Sequence, residues 1–216
     1  MRKLKIENWK LKINNGFTLV ELLIVIALIG ILSVAVLSTI NPIEQTNKAR
    51  DSAMKNDASE ILGALERYYA SQSTYPWVGD GVTLESAVGY SAEQEDVGIC
   101  GANCNTNGKL IDADELKPAF RNKSFLTTDT DVEKVYLYKD TGASASVHVC
   151  FVPKSKTFRT DSDTNPLWLL TFTQGVPSGM SEANGNTGST GSCPPLSGTG
   201  ADAWGTLDSA CFVCVP

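Results

Sequence analysis

Residues 17–40 form an apolar run, Phe-Thr-Leu-Val-Glu-Leu-Leu-Ile-Val-Ile-Ala-Leu-Ile-Gly-Ile-Leu-Ser-Val-Ala-Val-Leu-Ser-Thr-Ile, with Glu21 as its single charge. At about 1.5 Å per residue a helix over this stretch is about 36 Å long, enough to cross a bilayer. A segment so uniformly apolar has no polar face to turn toward water, so it predicts a membrane span or the dry interior of an assembly. An acid within a span costs about 2.5–3.5 kcal/mol by insertion scales, so it implies a partner or a task.

The flanks orient this segment. Residues 1–16 carry Arg2, Lys3, Lys5, Lys10 and Lys12 against Glu7 alone. Basic residues on one side of a span are held in the cytoplasm, which places the following residues outside. A secretory signal has a shorter apolar stretch and a small-residue cleavage site; Ser33-Val34-Ala35 offers such a site, but the long polar leader and the internal acid do not fit that class. An uncleaved anchor is the simplest alternative. Cleavage before Phe17 gives Glu21 a natural partner, because the new ammonium then lies four residues away, at one-turn spacing. Between stacked helices, Glu21 of one copy can pair with the amino terminus of the next. A slipped register would then leave two uncompensated charges.

Gly16-Phe17-Thr18-Leu19-Val20-Glu21-Leu22, preceded by the basic leader and followed by the long apolar run, resembles the processing motif of type IV pilins and type II secretion pseudopilins. The resemblance is close over residues 1 to about 76 and architectural beyond. It implies removal of residues 1–16 by a prepilin peptidase that cuts after Gly16 and methylates the Phe17 amine. It implies an assembly role for Glu21 and incorporation of the mature chain into a helical filament. The implied partners are the peptidase/methyltransferase, further copies of the chain, other pilins or pseudopilins, and an assembly platform with its ATPase. The implied location is a single pass in the inner membrane, amino terminus in the cytoplasm, followed by an extracytoplasmic or cell-surface filament. Many pilins have proline where this chain has Ser38; here the nearest is Pro42, so any helix loosening is expected at Asn41-Pro42.

Beyond Pro42 the pattern becomes amphipathic. Met54, Ala58, Ile61, Leu62, Leu65, Tyr68 and Tyr69 share one helical face, and Glu44/Lys48 and Asp51/Lys55 are expected as exposed acid-before-base pairs. One helix is expected over about 17–72, loosened near 41–42. Its halves are a membrane or fibre-core segment (17–40) and an amphipathic segment (41–74), ending before Tyr75-Pro76. Residues 75–216 form the globular region. Within it, 77–130 is polar, with a short capped helix expected at 113–117. Val132–Lys139 and Ser146–Val152 alternate as a hairpin, Lys156–Thr160 and Leu167–Thr173 are further strand candidates, and 174–205 reads as a surface loop or linker. The expected fold is α+β, a long N-terminal helix on a small antiparallel sheet of three or four strands.

Six cysteines, Cys100, Cys104, Cys150, Cys193, Cys211 and Cys214, all follow the apolar run, and outside the cytoplasm they are expected to form disulfides. Cys100 and Cys104 are close enough to bridge each other, and Cys150 and Cys193 are candidate tethers for the C-terminal pair. A four-cysteine zinc site from Cys100/Cys104 and Cys211/Cys214 is the competing arrangement. Asp161-Ser-Asp163 opens like a calcium loop but lacks its glycine and its closing acid. Because the chain resembles pseudopilins, which often bind calcium near the C-terminal loop, Asp161 and Asp163, or Asp129 and Asp131, are candidate ligands. His148, the single histidine, reads as a structural strand residue. No nucleophile elbow or phosphate loop appears, and a net charge of −6, carried despite a basic leader, gives no general attraction for nucleic acid. The reading is therefore a structural subunit, not an enzyme, without a resident cofactor other than candidate Ca2+. A membrane-anchored extracytoplasmic binding domain that never polymerises is the alternative.

Overall fold

The computed structural model describes residues 16–39, 41–160, 166–187, 191–196 and 201–216. The chain divides into two units, residues 1–42 and 43–216. The first contains helix α1 (Leu19–Thr39). The second is built on helix α2, which begins at the boundary and spans Pro42–Gln72. The single helix expected over 17–72 is thus two: Asn41 is non-helical, and Ile40 lies outside the described residues. Proline suits the first position of a helix, because its missing N–H would find no intrahelical acceptor there. At the other end Ser73 adopts a left-handed φ of 56° and donates its N–H to the Tyr69 carbonyl, which closes α2 just ahead of Tyr75-Pro76.

The buried face of α2 consists of Asp51, Met54, Ala58, Ile61, Leu62, Ala64 and Leu65, with Tyr68 and Tyr69 half-buried at its end. Four strands form an antiparallel sheet in the order β1-β2-β3-β6: β1 (Val88–Ser91), β2 (Val135–Lys139), β3 (Val147–Phe151) and β6 (Val213–Val215). β2 and β3 are the expected hairpin, paired Tyr136 with Cys150 and Leu137 with Val149. Val147 faces α2, lining one concavity with Leu62 and Leu65. The opposite sheet face is covered as well. A second hairpin, β4 (Trp168–Thr173) and β5 (Val176–Glu182), lies over it, with Tyr136 edge-on to Phe172 at 5.1 Å and His148 beside Trp168 at 6.0 Å. This sandwiching is why every residue of β2 is buried. Its closeness shows at Gly89, where a Cβ would collide with the carbonyl oxygen of Pro177 on β5.

Three expectations are corrected. Lys156–Arg159 is not a strand but a one-turn helix, capped by the Ser155 hydroxyl accepting from Phe158 N–H. The short helix lies at Lys109–Asp112 rather than 113–117, because this register buries Leu110 and Ile111 in the core, and Asp114 then turns the chain with φ 59°. Residues 176–182 are a strand rather than part of a loop, and β4 pairs with them instead of joining the main sheet. Gln174 and Gly175 both have positive φ (54° and 83°), the backbone demanded by a tight two-residue hairpin turn.

Asp51 is also not an exposed ion-pair residue. It is fully buried, and its carboxylate accepts from Lys154 N–H at 2.9 and 3.0 Å, Ser155 N–H at 2.7 Å and Arg50 Nη1 at 3.1 Å. Two turns earlier on the helix, Glu44 accepts from Lys156 N–H at 2.7 Å. Two carboxylates of α2 thus hold three successive backbone amides of the turn that follows β3. Replacing Asp51 with alanine strands two of these donors, and the expected loss is about 2–4 kcal/mol of stability in urea unfolding, with faster amide exchange at residues 154 and 155. A loss under about 0.5 kcal/mol, the level of an ordinary surface substitution, would refute this role.

Candidate processing and assembly site

α1 starts immediately after a polar lock. Thr18 Oγ1 accepts from the Glu21 N–H at 3.2 Å and donates to Glu21 Oε2 at 2.8 Å, while the Thr18 N–H donates to the same oxygen at 3.0 Å. This is the reciprocal Thr-x-x-Glu capping box, and it satisfies donors that a helix start otherwise leaves open. Glu21 is therefore not partnerless within its own chain, as the reading from its position in the apolar run assumed. Thr18 is the residue that reading passed over, although the spacing is legible in the sequence.

Gly16, Phe17 and Thr18 precede the helix and have no regular structure, and Phe17 is 85% exposed. A Cβ on Gly16 would meet no atom of the described residues within 4 Å, so among them the backbone around the Gly16–Phe17 bond is open. By contrast Ala35, the end of the alternative cleavage sequence, lies within α1. Leu19–Val36 is long and apolar enough to cross a membrane, and none of it is buried. Ser33 satisfies its hydroxyl inside the helix by donating to the Ile29 carbonyl at 2.7 Å. Pro42 stands at the first position of α2, next to the non-helical Asn41.

The six cysteines form three disulfides, Cys100–Cys104, Cys150–Cys214 and Cys193–Cys211. Cys211 and Cys214 belong to different bridges, so they form neither half of a zinc site with Cys100 and Cys104 nor a redox pair with each other. Cys150 and Cys214 face each other directly across β3 and β6. Two of the three bridges therefore fasten the C-terminal segment, which also pairs Phe212 with Trp168 through two backbone hydrogen bonds.

The calcium candidates Asp161 and Asp163 lie outside the described residues. Asp131 is engaged by Lys134 at 3.2 Å, and no group of three or more His, Cys, Asp or Glu side chains suited to a metal occurs among the described residues.

Comparison with protein families gives one finding at this site. The family model of the prokaryotic N-terminal methylation motif matches residues 11–37, which contain Gly16, Phe17, Thr18 and Glu21. The match supports a class III signal segment, the kind carried by pilin- and pseudopilin-type substrates of prepilin peptidase. With the apolar helix it fits an anchor in the inner membrane. Comparisons with curated proteins and with solved structures return no match.

His148 is half-buried, and desolvation by the surrounding sheet holds its pKa below the ordinary 6.5. A depressed folded-state value means that the unfolded chain binds the proton more readily. The contribution of neutral His148 to stability is present above about pH 6.5 and is lost as pH falls through the lowered folded value. Thermal unfolding between pH 7.5 and pH 5 should show a steeper fall in Tm for the native protein than for His148→Gln; equal slopes would show that the imidazole is not held neutral.

Proposed function

We propose that this chain is a structural subunit of a type IV pilus or a type II secretion pseudopilus, cut between Gly16 and Phe17, N-methylated at Phe17 and assembled through α1. The observation that carries the reading is the coincidence, at one helix start, of an open Gly16–Phe17 bond, a carboxylate at Glu21 and a helix long and apolar enough to cross a membrane. The match to the methylation motif supports it.

In the membrane-resident precursor, the Thr18 cap lowers the cost of holding Glu21 near lipid, because the carboxylate already accepts hydrogen bonds. Cleavage adds an ammonium at Phe17. In a stack of helices the Phe17 amine of one subunit pairs with Glu21 of another, and this fixes axial register, since a slipped copy buries two lone charges. Leaving the bilayer forfeits about 25 cal/mol for each Å² of apolar surface, so α1 must repack against sister helices as it leaves lipid. An external motor drives the step, and Asn41-Pro42, where helical hydrogen bonding is already interrupted, is the point of conformational freedom near the membrane exit.

The second reading, an anchored extracytoplasmic binding domain, separates cleanly by mass. Native protein is expected to begin at N-methyl-Phe17, and Glu21→Ala is expected to be processed and anchored normally but to reduce filament assembly at least about tenfold, as removal of one partner of a buried ion pair should. A native chain beginning at Met1, or undiminished filaments from Glu21→Ala at equal subunit level, would defeat the proposal.

A further inference from the structure

A concavity of about 450 Å³ opens between the C-terminal part of α2 and the connection from β2 to β3. That volume lies within the range of small-molecule sites, about 300–1,000 Å³. Its apolar wall includes Leu65, and around it stand Glu66, Tyr69, Tyr75, Ser144 and Ser146. Among the described residues none of these five polar side chains makes a hydrogen bond; of the other carboxylates of α2, Glu44, Asp51 and Asp57 are engaged with the globular region, while Glu60 is exposed.

The rings are held in place before any ligand arrives. Tyr69 stacks on Tyr75 with centroids 4.8 Å apart, and Tyr75 stacks on Trp77 at 4.6 Å. Trp77 is buried and anchors the series in the core. Tyr75 has a ring on each side, while Tyr69 has one on a single side and so keeps a face free of aromatic neighbours.

We propose that this concavity binds a neutral saccharide, stacked on Tyr69 and hydrogen-bonded by Glu66, Ser144 and Ser146. A pyranose offers an apolar C–H face for an aromatic ring and hydroxyls that both donate and accept. The four hydroxyls around the concavity also do both, and Glu66 accepts from sugar hydroxyls. An anionic ligand is disfavoured, because the charged side chain in the lining, Glu66, is negative. An alkylammonium ligand accepts no hydrogen bond and leaves the serine and tyrosine O–H donors unanswered. The site is independent of processing at Gly16, and its ligand can be a free sugar or a residue of a polysaccharide surface.

The test uses the full chain in a polyoxyethylene detergent, which has no sugar headgroup. Maltose, cellobiose and chitobiose are titrated by saturation-transfer NMR, retention on starch, cellulose and chitin is measured in parallel, and tetramethylammonium is the cationic probe. Saturable binding of a disaccharide is expected and assigns a soluble sugar; retention on a polymer alone assigns a polysaccharide surface, and both support the site. Tyr69→Ala removes the platform, and Ser144→Phe fills the concavity from an exposed position that does not endanger folding. Each is expected to weaken binding at least about tenfold. The proposal is overturned if no saccharide or polymer binds, if Ser144→Phe leaves binding unchanged, or if only tetramethylammonium binds.

Discussion

A helix that is apolar all round governs how this protein can exist. α1 carries Leu19, Ile24, Ile29, Leu32 and their neighbours on every side, and each of these side chains is exposed. Such a surface is stable only against lipid or against other apolar helices, because each Å² left facing water costs about 25 cal/mol. The polar group within it is handled locally. The Thr18–Glu21 box keeps the carboxylate hydrogen-bonded at the helix start, where the aligned peptide dipoles also favour negative charge. Under the proposed processing, the same carboxylate would be available to the amine of Phe17, four residues away.

The globular unit solves a different problem, that of burying a sheet on both faces with few long elements. α2 covers one face and the β4–β5 hairpin the other, so Tyr136 is enclosed between the sheet, Phe172 and Phe212. Polar ties then fix α2 against the irregular segments. Asp57 pairs with Lys123, and Arg67 binds both the side chain and the carbonyl of Glu115, at 2.8 Å in each case. Lys139 is buried without a carboxylate; its Nζ donates to the carbonyls of Leu84, Asp140 and Gly142. The three-residue strand β6 has little pairing of its own. The Cys150–Cys214 and Cys193–Cys211 bridges hold it, closing loops whose entropy, in the chain-entropy model, is worth about 3–4 kcal/mol each.

Periodicity made the strongest parts of this fold legible. The stripe from Met54 to Leu65 and the alternation across β2 and β3 mark α2 and its hairpin because each repeat is long enough to stand out. β1 hides in four residues that include Gly89, and β5 contains Pro177 and Gly179 and pairs with β4 across a register shift at Thr171/Phe172 of β4, so neither shows a clean alternation. The one-turn helix Lys156–Arg159 is hard to tell from a strand in the sequence because its local cue is a single capping serine, Ser155, while the carboxylates that hold its first amides, Asp51 and Glu44, lie more than a hundred positions away. Asp51 itself looked like a surface acid because three or four residues from a lysine is where surface acids usually stand.

By itself the amino-acid sequence determined the amino-terminal segment: the apolar helix, the methylation motif and even the capping box are all local patterns, set by neighbours within one or two turns. The tertiary structure alone decided which cysteines pair, which carboxylates are buried, that the sheet is covered twice, and that Tyr69, Tyr75 and Ser144 meet around one concavity. Those outcomes depend on contacts between residues far apart in the chain. No local propensity encodes them, because each gains its free energy only when the whole unit closes.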